Sequence, residues 1–404
     1  MLHFFYSYYQ LPSIDIAGAS KFQLRSAERF RDKIIPFSHL YITSNPYFRK
    51  IRESLPEADQ NKLKTMNAAQ VKAVKAHASF PVELNSLGAN VIDTIKSNVT
   101  ADQTVHIAVI NGIGTGYGDN YVGLGAMQRL QKLLGPMPVK FHLMQRTNER
   151  VAAVFMREPN ILLHNNCMSL KQFFSIDYYV NLTGMLALPG FEELPLIRFM
   201  GSCFGVNEQS SVTQLQPQLR LDLVKLRSLK HMVNMRFSSH ENRPVILFHP
   251  QASSPVRSIK KSIADKMIDG LIAYGFNVVT AIPYGFKADE FASIDEFSNN
   301  IDDLLHIAAC CDGVVSVGTV LYHLAAALDK PTILLPSVRA DLESGKALPQ
   351  VKPWLPEASK TLILDKHKSR DDDDMAIAEK IWLNIDPQEL AMELKNMLKR
   401  TKKA

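Results

Sequence analysis

Two parts of the chain contain short apolar runs that alternate with helix-like stretches. In the first part, strands are predicted at Val105–Asn111, Val139–Met144, Ile161–His164 and Asp177–Leu182. Runs of this length, bounded by glycine, proline or polar residues, are typical of strands buried on both faces. The stretches between them predict helices at Tyr121–Leu134 and Glu149–Phe155. This order predicts a parallel, doubly wound sheet covered by helices.

The same alternation returns in the second half of the chain. Strands are predicted at Val245–His249, Phe276–Ala281, Val314–Val317 and from Thr332 onward. Helices are predicted at Lys261–Tyr274, Asn300–Ala309 and Leu321–Leu328. The polar segment Val233–Pro244, which precedes this second sheet, is typical of an interdomain linker. The pattern therefore predicts two α/β domains of similar plan.

Residues 1–100 lack this alternation. Helix-like patterns occur there at Ser20–Ile35, Asn45–Leu55 and Glu57–Ala78. A chain of 404 residues is also too long for one hydrophobic core. We predict a mainly helical N-terminal extension at 1–100, Rossmann-like domains at 101–238 and 239–385, and an amphipathic C-terminal helix at 386–404.

The composition is that of an ordinary globular enzyme, with 46% apolar and 21% charged residues. The chain contains no run of about 18 apolar residues, the length that could span a bilayer. The aromatic N-terminus also lacks the basic segment that a signal peptide needs. A cytoplasmic location is therefore predicted, and a peripheral contact with the inner membrane is left open. The net charge of +6 permits anionic partners without selecting among them.

The residues that commonly bind metals do not form a metal motif. The four cysteines, Cys167, Cys203, Cys310 and Cys311, lack zinc-site spacing and are expected to be buried thiols of a reducing compartment. The consecutive carboxylates Asp371–Asp374 are typical of a solvated loop. We predict no metal and no cofactor. Nucleic acid is not an expected partner either, because the chain has no basic and aromatic stripe.

The strand Val314–Val317 leads through Gly318-Thr319 into the helix that carries His323. Where a strand passes into a helix, backbone N–H groups lack partners and the helix dipole adds positive charge, so an anion can bind there. Thr319 could donate its hydroxyl and His323 could reach the same anion. The alternative is an ordinary turn beside a structural histidine.

A second loop, 249–261 (HPQASSPVRSIKK), follows the strand that ends at His249. Arginine supplies a fork of donors, lysine a point charge and serine a neutral donor, which together suit a diphosphate. The candidate donors of this loop are His249, Ser253, Ser254, Arg257, Lys260 and Lys261. The alternative is a solvated basic loop.

Asp119 lies at the end of a glycine-rich loop in the first domain. The glycine spacing does not match a dinucleotide fingerprint, so no nicotinamide site is predicted. Asp119 could be a helix N-cap. In a cleft opposite a diphosphate, its carboxylate could instead act as general base toward an attacking hydroxyl. That combination describes glycosyl transfer from a nucleotide sugar.

Three segments of this chain resemble the bacterial heptosyltransferases of lipopolysaccharide and autotransporter glycosylation. They are 114–136 (GTGYGDNYVGLGAMQRLQKLLGP), the loop 249–261, and 316–335 (SVGTVLYHLAAALDKPTILL). The strand DYYVNL also fits, and the resemblance covers about residues 104–340. It implies a GT-B fold of two facing Rossmann-like domains. It also implies an inverting, metal-independent transfer from a nucleotide-diphosphate sugar.

The resemblance also implies roles for individual residues. Asp119 would be the catalytic base, while Lys260 or Lys261, Thr319 and His323 would contact the donor phosphates. Gly116, Gly118 and Asn120 would belong to the acceptor loop. Members of the family often have an aspartate, which helps to hold the donor sugar, where this chain has Gly318. The resemblance therefore does not imply heptose as the sugar.

The expected acceptor is a hydroxyl of a bacterial surface glycan, a lipid-linked glycan such as lipopolysaccharide, or a protein. Two alternatives stay open at this point. A nucleotide-sugar epimerase has the same architecture, but needs further acid and base residues that the sequence does not identify. A non-catalytic protein could bind the nucleotide sugar without transferring it.

Overall fold

The computed structural model divides into two compact units, residues 1–215 and 216–404. The residues that the structure describes are 3–5, 81–110, 113, 117–145, 149–165, 167–169, 175–182, 188, 190–191, 193–252, 258–280, 289–298, 301–335, 339–340, 347–348, 361–363, 382 and 385–401.

The first unit is built on a five-stranded parallel sheet with the order β2-β7-β3-β4-β5. Its strands, with a separate antiparallel pair formed by β1 and β6, are β1 His3–Phe5, β2 Val82–Glu83, β3 Val105–Ile110, β4 Val139–Gln145, β5 Ile161–Asn165, β6 Cys167–Ser169 and β7 Tyr178–Asn181. Strand β3 is central and almost wholly buried. Its apolar sequence, VHIAVI, suits a strand covered on both faces.

The described helices of the first unit are α1 Val91–Asn98, α2 Tyr117–Leu134, α3 Glu149–Phe155, α4 Leu196–Cys203 and α5 Val212–Leu215, with 3₁₀ turns at Leu84–Ser86 and Gly88–Asn90. Helix α2 packs against α1, α3, α4 and α5. Most of its residues are buried, including Leu124 and Met127. It therefore forms the central helix of this layer.

The second unit contains a six-stranded parallel sheet with the order β10-β9-β8-β11-β12-β15. Its strands, with a separate antiparallel pair formed by β13 and β14, are β8 Val245–His249, β9 Asn277–Thr280, β10 Phe291–Ser293, β11 Gly313–Val317, β12 Thr332–Leu335, β13 Arg339–Ala340, β14 Ala347–Leu348 and β15 Thr361–Ile363. Strands β9, β11 and β12 are buried along their whole length.

The described helices of the second unit are α6 Leu223–Arg236, α7 Lys261–Ala273, α8 Ile301–Cys310, α9 Val320–Ala327 and α10 Pro387–Thr401, with 3₁₀ turns at Ser238–His240 and Ile294–Glu296. The C-terminal helix α10 packs on α7 and contributes Leu390 and Leu394 to the core. A Cβ atom on Gly270 would lie 2.5 Å from Cβ of Pro387, so glycine permits this close contact.

The fold class predicted from the sequence, an α/β protein with two parallel sheets, is confirmed. The division between the units, however, falls at 215/216 and not at 238/239. Helix α6 packs on α8, within the second unit. Asn277 on β9 donates from Nδ2 to the carbonyls of His240 (3.0 Å) and Arg243 (3.3 Å), which fixes the segment 233–244 to the sheet. This segment is therefore not a free linker.

Within the predicted, mainly helical extension, residues 81–99 contain helix α1 and also strand β2, which adds to the edge of the first sheet beside β7. A strand of two residues is too short to give a recognisable apolar run. The helices predicted at Ser20–Ile35, Asn45–Leu55 and Glu57–Ala78 lie outside the described residues. No helix among the described residues is long and apolar enough to cross a membrane.

Candidate functional site

The order of strands reverses between β8 and β11 in the second sheet. From β8 the chain continues to β9 and β10 on one side, and from β11 it continues to β12 on the other. Loops diverge at the carboxyl ends of two such strands, and this is where open α/β sheets bind ligands. His249 ends β8 and pairs in register with Ser316 on β11. The two loops that carry the predicted nucleotide-sugar-binding residues therefore begin at adjacent strand ends.

The turn after β11 is organised by two hydroxyl groups. Thr319 is the N-cap of α9, and its Oγ1 accepts a hydrogen bond from the Leu321 N–H at 3.3 Å. Ser316 Oγ lies 3.0 Å from Thr319 Oγ1 and 2.7 Å from the Val317 carbonyl, to which it can donate. When Ser316 donates to Thr319 instead, the Thr319 proton is released for another acceptor. The predicted role of Thr319 as a donor to a ligand therefore depends on Ser316, which the sequence analysis did not select.

His323 is the fourth residue of α9, one turn after the Thr319 cap. Its ring lies against Tyr322, with 3.8 Å between the ring centroids. Burial lowers the pKa of His323 to about 3, because a desolvated imidazolium is unfavourable. The imidazole is therefore neutral near pH 7 and can donate one N–H to a ligand without carrying a charge of its own.

His249 has a buried ring nitrogen, Nδ1, that lacks a hydrogen-bond partner among the described residues. Burial lowers the pKa of this histidine to about 4. An enclosed polar atom without a partner costs free energy, so it marks a place that a ligand group or the adjoining loop can complete.

The loop that follows β8 is closed at its base. The Pro250 carbonyl accepts from the Ile259 N–H at 2.8 Å. Ser258 Oγ accepts from the Ala252 N–H at 2.9 Å and lies 3.2 Å from the Ala252 carbonyl. These bonds hold the two ends of the loop together ahead of α7. Ser253, Ser254 and Arg257, which are predicted to bind the diphosphate, lie between the two ends of the loop and outside the described residues.

The two lysines of this loop lie at the start of α7. Lys260 is its exposed N-cap residue. Lys261 Nζ lies 3.0 Å from a carboxylate oxygen of Asp265, one turn further along the helix. This ion pair partly neutralises Lys261, and either lysine stays a predicted phosphate contact.

The first sheet has a corresponding reversal between β3 and β7. Asp119 follows β3 and is the third residue of α2, where it is half-buried. It lies inside the helix, which argues against the N-cap alternative. At the end of β7, Asn181 exchanges two hydrogen bonds with Asn85, at 2.7 and 2.9 Å. These bonds fix the neighbouring strand end.

The predicted acceptor-loop residues divide into different environments. Gly118 is the second residue of α2, whereas Asn120 is fully buried, which favours a supporting role for its side chain. Gly116 lies outside the described residues. A further residue, Ile113, was not selected from the sequence. A Cβ atom on Gly123 would lie 2.3 Å from Cγ2 of Ile113, so the bare face of α2 receives the side chain of this loop residue.

Comparison with known proteins shows similarity only at the level of structure. No protein-family model and no curated protein matches the sequence. The ADP-heptose lipopolysaccharide heptosyltransferase II of E. coli matches with a TM-score of 0.51 and 15% identity, over 74% of this chain and 99% of that chain. The chain has the fold of this heptosyltransferase.

Two other solved structures match more weakly. A family 9 glycosyl transferase from Veillonella parvula has a TM-score of 0.45 and 11% identity, over 75% of this chain and 99% of that chain. The dodecameric, iron-containing heptosyltransferase TibC, in complex with ADP-D-β-D-heptose, has a TM-score of 0.44 and 13% identity, over 74% of this chain and 77% of that chain.

Three residues predicted to bind the nucleotide sugar lie at or after the carboxyl ends of the neighbouring strands β8 and β11. They are His249, Thr319 and His323. Gly318 completes the turn between β11 and α9. Asp119 occupies the equivalent edge of the first sheet, after β3. The strand ends define both positions, and the sequence alone does not reveal which strands are neighbours.

Proposed function

We propose that this chain is a glycosyltransferase that uses a nucleotide-diphosphate sugar as donor. The observation that supports it best is that His249 ends β8 while Thr319 and His323 follow β11, and these two neighbouring strands form the strand-order reversal of the second sheet. The chain shares its fold with a heptosyltransferase whose name includes ADP-heptose. An ADP-linked sugar is therefore the first donor to test.

The diphosphate binds at the N-terminus of α9. The helix contributes backbone N–H groups and the positive end of its dipole, which favour an anion there. Thr319 and His323 add a hydroxyl and a neutral imidazole N–H, and Lys260 or Lys261 adds a positive charge. A phosphate beside His323 raises the pKa of that ring, because a nearby negative charge favours the protonated form.

The proposed reaction is a single displacement with inversion at the sugar. An acceptor hydroxyl attacks the anomeric carbon, and the Asp119 carboxylate takes the hydroxyl proton. The bond from the anomeric carbon to the phosphate oxygen breaks, and the nucleoside diphosphate leaves with the electron pair. The helix terminus and the donors around it stabilise the charge that develops on this leaving group, so a metal ion is not required.

The acceptor is proposed to be a hydroxyl of a bacterial surface glycan, a lipopolysaccharide or a protein. Gly318 brings no carboxylate to the sugar, so heptose is not specified as the donor sugar. A panel of nucleotide sugars that differ in base and in sugar identifies the nucleotide base and the donor sugar.

The test is a thermal-shift panel with ADP, UDP, GDP and dTDP, followed by mass spectrometry of the matching nucleotide sugars incubated with the protein. A ligand that binds only the folded state raises the melting temperature. We expect one diphosphate to stabilise the chain and its sugar conjugate to be consumed, with and without EDTA. Strict dependence on added metal would contradict the mechanism.

Other outcomes of the same panel identify the alternatives. Binding of a nucleotide sugar without consumption, in the presence of glycan and protein acceptors, would indicate a non-catalytic binding protein. Conversion to an isomeric nucleotide sugar without release of the diphosphate would indicate an epimerase. The absence of any nucleotide-induced shift would overturn the donor site.

A further inference from the structure

Helix α6 (LVKLRSLKHMVNMR) is apolar on two opposite sides. One side carries the buried Leu229 and Val233 and packs on α8 within the second unit. The carboxylate of Asp222 caps the helix by accepting the N–H groups of Val224 and Lys225, at 3.0 and 3.1 Å. The helix is thus fixed on the unit by one face, and the other face is left to solvent.

The helix exposes four large apolar side chains, and three of them, Val224, Met232 and Met235, share its outward face. The exposed fractions are 78% for Val224, 63% for Leu223, 61% for Met235 and 38% for Met232. These four are half of the eight large apolar residues that are exposed in the described part of the chain. Scattered single residues of this kind are normal, but a concentration on one helix marks an interaction surface.

The same helix carries only positive charges. Lys225 pairs with Asp303, and Arg236 pairs with Glu296 at 3.0 Å, so these two hold the helix to its unit. Arg227, Lys230 and His231 are exposed, and none of them forms an ion pair with another described residue. No acidic residue lies between Leu223 and Arg236 to neutralise them.

We propose that the outward face of α6 docks on an anionic phospholipid bilayer, with Val224, Met232 and Met235 entering the interface and Arg227 contacting the lipid phosphates. A helix of 14 residues is about 21 Å long and can lie in the plane of the headgroups. Apolar side chains flanked by lysine and arginine are the composition that such interfacial helices use. The proposal does not depend on the enzymatic activity.

The charge of the surface argues against another occupant, a second copy of this chain. In a two-fold contact the same patch faces a second copy of itself, so the positive charges of the two helices would face one another, with no acidic residue of either helix between them. Like charges in such a contact are destabilising. An anionic bilayer instead supplies the opposite charge along the whole helix.

The experiment is co-sedimentation of the full chain with vesicles of neutral phosphatidylcholine, or of phosphatidylcholine with 30% phosphatidylglycerol, over a range of salt concentrations. We expect binding to the anionic vesicles that falls as salt rises. Each basic residue near such a surface changes partitioning by about five-fold, so Arg227→Gln should reduce binding roughly five-fold. Val224→Gln/Met235→Gln should also reduce it, by at least ten-fold on the basis of the lost apolar burial.

Matched control variants come from the exposed residues of α10. Lys395→Gln removes the same charge, and Met392→Gln removes one exposed methionine. We expect less than about a two-fold change from either control. Equal losses in the α6 and α10 variants would mean that net charge alone attracts the protein, and would overturn the proposal. So would equal binding to neutral vesicles, or no binding at all.

A spectroscopic measurement keeps the test independent of any loss of fold. Tryptophan at an interfacial position shifts its emission to the blue when it enters lipid. We expect this shift for Met235→Trp, and not for Met392→Trp, on adding the anionic vesicles. The reverse pattern contradicts the proposal. A dimer in sedimentation velocity that Val224→Gln dissociates would identify a second copy as the occupant, and would also contradict it.

Discussion

Thr319 and His323 show how much of the candidate site depends on single side chains. The Thr319 oxygen is occupied by the Leu321 N–H, and its proton is free only when Ser316 donates to it. His323 is neutral because burial lowers its pKa to about 3. In the proposed donor site both residues would therefore act as neutral hydrogen-bond donors, and the positive charge would come from the helix terminus and from Lys260 or Lys261.

Replacing His323 by alanine should weaken nucleotide-diphosphate binding. The loss of one hydrogen bond to a charged group costs about 1.5–3 kcal/mol, which corresponds to roughly ten- to one-hundred-fold in Kd. Isothermal titration calorimetry with the diphosphate found in the thermal-shift panel measures this. The exposed His231 provides the matched control, and His231→Ala should leave the affinity unchanged. An unaltered affinity in His323→Ala would remove this residue from the site.

Three neighbouring strands of the first sheet carry a row of histidines. Nδ1 of His106 on β3 lies 2.9 Å from Nε2 of His142 on β4, whose Nδ1 lies 3.1 Å from Nε2 of His164 on β5. Desolvation first, and then the nearby His164, His106 and Lys140, lower the pKa of His142 to about 4. A neutral ring offers one donor and one acceptor, so each of its nitrogens can be satisfied by one neighbour.

This row predicts a dependence of stability on pH. The pKa of His142 is about 4 in the folded state and about 6.5 when unfolded, so the unfolded chain binds more protons between these values. The stabilisation is complete above pH 6.5 and is lost as the pH falls towards 4. It amounts to at most about 1.4 kcal/mol for each unit of pKa difference, less what solvent screens.

Urea unfolding of His142→Asn between pH 7 and pH 4.5 tests this dependence. We expect the variant to lose less stability over that range than the unaltered chain does. Acid also protonates carboxylates in both proteins, so the difference between the two slopes is the quantity to compare. His231→Asn, an exposed histidine outside the row, serves as the control. Parallel slopes for all three proteins would contradict the prediction.

Helix α2 and the loop before it meet at Gly123. A Cβ atom at this position would lie 2.3 Å from the side chain of Ile113, which is fully buried. Gly123→Ala should therefore destabilise the fold by about 1–3 kcal/mol, although alanine is the better helix former. Thermal or urea unfolding measures the change. Ile113→Val should restore part of the loss in the double variant, and simple additivity of the two changes would argue against this contact.

The sequence predicted the bounds of strands and helices better than it predicted which strands lie next to each other. The strand predicted at Val314–Val317 is observed at Gly313–Val317, and the helix predicted at Leu321–Leu328 is observed at Val320–Ala327. Helix α6 was missed because Leu229 and Val233 on one side and Val224 and Met235 on the other leave no single apolar stripe. A pattern that is apolar on two sides does not give the usual helical period.

The candidate site shows the same limit. His249 and Ser316 are distant in the chain and adjacent only because β8 pairs with β11. A sequence shows that Thr319 follows a strand, but the order of strands within a sheet is a property of the tertiary fold. The residue types of the candidate donor site could therefore be proposed from the sequence, whereas the contact of Ser316 with Thr319 could not. The role of Ile113 also depends on a contact that only the packed helix defines.

At the scale of the whole molecule, the two proposed roles belong to different units. Asp119 lies in the first unit, and His249, Thr319 and His323 lie in the second. Each unit has its own sheet and its own buried core. A substitution at Asp119 should therefore leave the donor site intact, so that binding and transfer can be separated by single variants.

Asp119→Asn is the sharpest form of this separation. Asparagine keeps the size of the side chain but cannot accept the hydroxyl proton, so transfer should fall by about 10²–10⁴-fold, the usual contribution of a general base. The thermal shift caused by the nucleoside diphosphate should persist, because the phosphate contacts are unchanged. His323→Ala should give the opposite result, a reduced thermal shift at the same ligand concentration. If Asp119→Asn turns over normally, the proton is taken elsewhere. If Asp119→Asn loses both transfer and the thermal shift, nucleotide binding also depends on Asp119, and the proposed separation of binding from transfer is wrong.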